Sequence, residues 1–119
     1  MIAWGSSYSA ALVLKVAGDH PALVDGVVSF APGEYFKRLG KGPTWVQDSA
    51  KNITAPVFIT SAKSEHNNWA GIYSVINTKT KTYYLPDTKG NHGSRALWAK
   101  FFDSPGYWEA VTEFLNKNK

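Results

Sequence analysis

The sequence predicts an α/β protein built on a small, mostly parallel sheet of four strands with helices on both faces. Three observations carry that prediction. Short apolar runs alternate with longer stretches of helical spacing, in the order β-α-β-(α)-β-α-β-α, and strands alternating with helices imply parallel strands joined by right-handed crossovers. Two of the runs, 27–31 and 56–62, are apolar throughout rather than alternating, as a sheet covered on both faces requires. The chain has 119 residues, one domain's worth, with 44% hydrophobic residues and a net charge of only +4, which excludes a disordered composition.

Taken in order, residues 1–4, from Met1 to Trp4, read as a short strand stopped by Gly5. Residues 10–16 are rich in Ala and Leu, good helix formers, and Pro21 closes that segment. Asp25 and Gly26 make a turn into the β-branched run 27–31, which Pro32 and Gly33 end. Residues 34–53 are the least regular, with Gly40, Gly42 and Pro43 ahead of a short helix over 45–51. The run 56–62 is a buried strand. Trp69, Ile72, Tyr73 and Ile76 recur at helical spacing, residues 82–85 form the last strand, and Pro86 and Asp87 end it. Residues 94–102 and 107–116 read as two helices separated by Ser104, Pro105 and Gly106.

Composition removes several functions. With no cysteine there is no disulfide, thiolate metal site or cysteine nucleophile, and a cytoplasmic setting is expected. The longest apolar run, 10–14, is far short of a membrane span, and no basic stretch precedes the first apolar run, so neither a membrane nor a secretory role is expected. The basic residues are spread. Their densest groups (37–41, 79–81, 117–119) read as solvated surface, and no basic-aromatic alternation suggests nucleic acid. The three histidines lack metal-ligand spacing and no phosphate-cradling glycine motif occurs, so no metal and no cofactor is expected.

In an open parallel sheet, reactive groups gather at the carboxyl ends of the strands. Those ends present a serine, Ser7, then a carboxylate, Glu65, then a histidine, His92, in chain order. Gly5-Ser6-Ser7-Tyr8-Ser9 between a strand and an Ala-rich helix has the form of a nucleophile elbow, small-x-Ser-x-small, in which a tight turn leaves no room for side chains two residues either side of the nucleophile. Ser7 would then stand exposed, with the Tyr8 N–H aimed where an oxyanion develops. The competing reading is a serine-rich helix cap. His92, between Gly90-Asn91 and Gly93, sits on a loop able to carry an imidazole over the nucleophile, where it can take and return the serine's proton. His20 and His66 read as structural. Glu65 is the favoured carboxylate to orient His92, with Asp87 its competitor. Tyr8, Tyr35, Trp69 and Trp98 are candidates to line a substrate pocket, each with core packing as its alternative.

These residues resemble the α/β-hydrolase superfamily, and within it the dienelactone hydrolase-like serine esterases. The resemblance rests on Trp4-Gly5-Ser6-Ser7-Tyr8-Ser9-Ala10, on Ser29-Phe30-Ala31-Pro32-Gly33-Glu34-Tyr35-Phe36, on Pro56-Val57-Phe58-Ile59-Thr60-Ser61-Ala62-Lys63-Ser64-Glu65, and on Gly90-Asn91-His92-Gly93-Ser94-Arg95-Ala96-Leu97-Trp98. It implies Ser7 as nucleophile, Glu65 as acid and His92 as base, in a serine hydrolase of small, short-acyl carboxylic esters. Ser9 and the Glu acid depart from the family's commoner residues. The resemblance starts at the nucleophile strand, the fifth of eight in the family, so the fold expected is a truncated α/β-hydrolase lacking the loop with the second oxyanion donor. The strand 1–4 would then be an edge, which predicts a homo-oligomer joined through it. The alternative is a non-catalytic fragment or assembly module that retains the triad residues.

Overall fold

Four short strands lie side by side in chain order and all run parallel. They are β1 (Ile2–Ser6), β2 (Gly26–Phe30), β3 (Val57–Thr60) and β4 (Lys81–Tyr84). The helices between and after them are α1 (Tyr8–Asp19), α2 (Trp45–Ala50), α3 (His66–Val75) and α4 (Ser104–Lys117), with 3-10 turns at Pro21–Leu23, Lys63–Glu65 and Gly93–Leu97. The structure, a computed structural model, describes residues 1–36, 40 and 42–118. Most of the basic group 37–41, read above as solvated surface, and the last residue of 117–119 lie outside the described residues.

The predicted two-sided covering holds, unevenly. Val27, Val57 and Ile59 point to one face, where Ala11, Leu14 and Ala17 of α1, Val46 and Ala50 of α2, and Trp69 and Ile72 of α3 pack on them. Val28, Phe30 and Phe58 point to the other face, against Tyr107, Val111 and Phe114 of α4. The strand residues alternate between two cores, so β2 and β3 are buried at every position, as their unbroken apolar runs foretold. In α1 the buried positions are Ala10, Ala11, Leu14, Ala17 and Gly18, one stripe at helical spacing. The α2 N-terminus takes its cap from a distance: the Glu34 carboxylate accepts the Val46 and Gln47 N–H groups at 2.8 and 3.0 Å.

Residues 94–102 do not form the predicted helix. Only Gly93–Leu97 coils, as a 3-10 turn, and tight turns follow in which Trp98, Phe101 and Ser104 each donate to the carbonyl three residues back. The Ser94 N–H is drawn instead to the Ser6 hydroxyl at 2.9 Å, and little beyond Ala96 is buried to hold a longer helix in place. Ser104 and Pro105, expected as a break, open α4, where a proline at the first positions costs no hydrogen bond.

At the sheet's β1 edge the side chains of Ile2 and Trp4 are about 40% exposed, Trp4 stacking one face on Phe30. Among the described residues no helix is long and apolar enough to cross a membrane.

Buried tyrosines make the fold sensitive to alkali. Tyr107 is fully buried and donates to the Ser61 carbonyl at 2.8 Å; burial pushes its phenol up to about 12. Burial also raises Tyr35, Tyr73 and Tyr84 above the usual value. Unfolded phenols ionise near pH 10, so the stability these groups contribute is whole below that pH and lost as pH climbs toward the folded values. Urea midpoints are expected to fall from about pH 10 to about pH 12, and Tyr107→Phe to flatten that fall; an equal slope in the variant refutes the assignment to Tyr107.

Candidate active site

Ser7 links β1 to α1 with φ 59° and ψ −118°, a backbone conformation that non-glycine residues rarely adopt. Its surroundings hold it there. The Ser7 N–H donates to the Phe30 carbonyl on the neighbouring strand at 2.8 Å. The first turn of α1 crosses so close to β1 that a Cβ on Gly5 would lie 2.2 Å from the Ser9 carbonyl oxygen. Ser9, by contrast, is exposed, so its side chain meets no such limit. Although Ser7 occupies the cap position of α1, its hydroxyl makes no bond to the helix. It meets His92 Nε2 at 3.0 Å. The reading of Ser7 as a helix cap is thereby removed.

His92 is joined on its other side to Glu65, whose Oε2 meets Nδ1 in a short hydrogen bond. The second Glu65 oxygen accepts the Ala62 N–H at 3.0 Å, so the carboxylate is fixed at both ends. A carboxylate that accepts from Nδ1–H leaves the Nε2 lone pair facing the serine. Asp87, the competing acid, is exposed and offers only its backbone oxygen, to Lys63 Nζ. His20 is exposed at the end of α1, and His66 packs edge-on to Trp69 at 4.7 Å.

The loop that delivers His92 is tied down by several hydrogen bonds. Asp103 Oδ2 accepts from the Thr88 hydroxyl at 2.8 Å and the Gly90 N–H at 3.1 Å. The Ser6 hydroxyl accepts the Ser94 N–H at 2.9 Å. Gly90 and Gly93 both have positive φ, and a Cβ there would strike the Tyr107 hydroxyl at 2.2 Å or the Ser6 hydroxyl at 2.6 Å. The two glycines beside His92 were the sequence's one visible sign of this packing.

Ser7 and His92 open into a pocket of about 540 Å³ lined also by Tyr8, Gly33, Glu34, Tyr35 and Asn68. Tyr8 opens α1, so its N–H has no carbonyl partner within the helix and lies at the positive end of the helix dipole. The Tyr8 and Tyr35 rings meet edge to face at 5.0 Å. Trp69, read as a candidate pocket residue, is fully buried instead. It sits on the inward stripe of α3, and its indole N–H donates to the Ser61 hydroxyl at 2.8 Å. Trp98 is outside the pocket lining, half exposed and stacked on Phe101. A second groove of about 460 Å³, between β4 and α4, is walled by Phe58, Tyr84 and Phe114 and brings no nucleophile beside a base. Among the described residues no group of three or more histidines and carboxylates could hold a metal ion.

Compared with known proteins, the chain matches no family model and no curated sequence.

The elbow geometry predicts opposite effects at its two small positions. Gly5→Ala forces a methyl against the Ser9 backbone and is expected to cost about 3 kcal/mol or more. Ser9→Ala is expected to stay within about 0.5 kcal/mol of the parent. Thermal or urea unfolding of both variants checks this, and a stable Gly5→Ala protein contradicts the close crossing.

Proposed function

We propose that the protein is a serine hydrolase of the α/β-hydrolase type, resembling the dienelactone hydrolase-like esterases, that cleaves small, short-acyl carboxylic esters through an acyl-enzyme on Ser7. The observation that carries this reading is the continuous chain from the Glu65 carboxylate through both His92 ring nitrogens to the Ser7 hydroxyl. In the proposed reaction His92 Nε2 takes the Ser7 proton as Oγ attacks the ester carbonyl carbon, and the carbonyl π pair moves to oxygen. The Tyr8 N–H donates to that oxyanion. When it collapses, the C–O bond to the alcohol breaks and the departing oxygen takes the proton from His92. Water then attacks the acyl carbon as the same nitrogen takes its proton; the acyl–Oγ bond breaks, Ser7 takes the proton back from His92, and the acid leaves. Glu65 holds the ring and stabilises the imidazolium without taking its proton.

The lack of cysteine supports a cytoplasmic setting. The same reading assigns the free edge of β1 to a second copy of the chain. Support comes from the exposed Ile2 and Trp4 on the strand and the exposed Leu12 and Val16 on α1, which packs over it. Two such edges paired about a two-fold axis are self-complementary.

Hydrolysis of p-nitrophenyl acetate or butyrate tests the reaction. Ser7→Ala is expected to lower turnover by about 1,000-fold or more, Glu65→Gln by on the order of 1,000-fold, and an organophosphonate to label Ser7. Turnover indifferent to Ser7→Ala points instead to a non-catalytic module. Light scattering tests self-association: a dimer mass at micromolar concentration is expected, and a steady monomer rejects that part.

A further inference from the structure

Resting on the reading just proposed, a further group beside the nucleophile invites a role. Tyr35 belongs to the segment that follows β2, and its ring is half-buried in the pocket wall. Its hydroxyl donates to the Ala31 carbonyl at 2.5 Å, and the residue lines the same pocket as Ser7 and His92. Ala31 is itself unusual: a buried non-glycine residue with φ 65°, one of two described non-glycine residues with positive φ, the other being Ser7. Strain of this kind persists only where neighbours over-determine it and concentrates at functional positions.

Of the other polar side chains that line the pocket, two are already engaged. The Glu34 carboxylate caps α2, and His92 lies between Ser7 and Glu65. The phenol is a neutral O–H donor on the wall of the pocket into which Ser7 opens. Its partner in the resting site, a backbone carbonyl, is a weaker acceptor than an oxyanion.

We propose that Tyr35 is a catalytic donor, its hydroxyl leaving the Ala31 carbonyl for the oxyanion formed when Ser7 attacks the ester. The exchange moves a hydrogen bond and no proton: the Ser7 proton goes to His92, the carbonyl π pair goes to oxygen, and the phenol keeps its own hydrogen. Burial raises the Tyr35 phenol above the usual tyrosine value, which keeps that hydrogen in place. The new bond exists only once the charge has formed, so it acts on the rate rather than on substrate affinity.

Tyr35→Phe removes one oxygen and leaves the ring. It is expected to lower kcat on p-nitrophenyl acetate by about 100-fold with little change in KM. Affinity for phenylboronic acid, whose tetrahedral adduct on Ser7 carries the negative charge, is expected to fall in parallel. Unchanged kcat and boronate affinity in the variant, while the parent keeps its Ser7-dependent turnover, overturn the role of Tyr35 and leave the esterase reading standing. Absence of Ser7-dependent turnover in the parent overturns both. A crystal structure of the parent's boronate adduct needs no variant: Tyr35 Oη on a boronate oxygen is expected, and Tyr35 still on Ala31 rejects the proposal.

Discussion

The left-handed backbone of Ser7 is the constraint on which the rest of the arrangement depends. A serine in that conformation costs on the order of 1–3 kcal/mol. It persists because the Ser7 N–H is held by the Phe30 carbonyl and because α1 crosses β1 without space for a side chain at Gly5. The turn keeps the hydroxyl off the helix it precedes and presents it to His92. With relaxed, extended dihedrals the same serine would be an ordinary cap, its oxygen engaged by the N–H groups of α1.

Around that turn, order is imposed from the opposite side of the sheet. The loop carrying His92 donates the Gly90 N–H to the Asp103 carboxylate at the start of α4 and the Ser94 N–H to the Ser6 hydroxyl on β1. The helix on the sparsely covered face is therefore more than a lid on Val28, Phe30 and Phe58. Its first turn fixes where an imidazole stands over the other end of the sheet. Buried polar contacts of this kind stabilise little in net terms and are costly to leave half-made, so they specify one loop geometry.

Much of this was legible in the residues. The unbroken apolar runs of β2 and β3 announced a sheet covered on both faces, and Gly5, two residues before Ser7, announced a tight turn there. Other features were not legible, because the partners are far apart in the chain. Glu34 caps a helix beginning at Trp45, and Trp69 shows the same helical spacing whether it faces core or pocket. The segment 94–102 has helical composition, yet a hydrogen bond between Ser94 and Ser6 redirects its first turn. Propensity records what a segment prefers alone, and these three outcomes were decided by contacts made elsewhere.

What the sequence by itself determined is local: the alternation of strand and helix, the two-sided burial of the central strands, and the candidates Ser7, Glu65 and His92 after the first, third and fourth strands. Each follows from side-chain period, volume or backbone freedom within a few residues. Only the tertiary structure decided that His92 lies 3.0 Å from Ser7 and bonded to Glu65 rather than Asp87, that Trp69 is core, and that Tyr35 lines the pocket into which Ser7 opens. Those are distances between atoms as many as 85 residues apart in the chain. They come from strand register, helix packing and the closure of one loop, terms that a linear pattern does not contain.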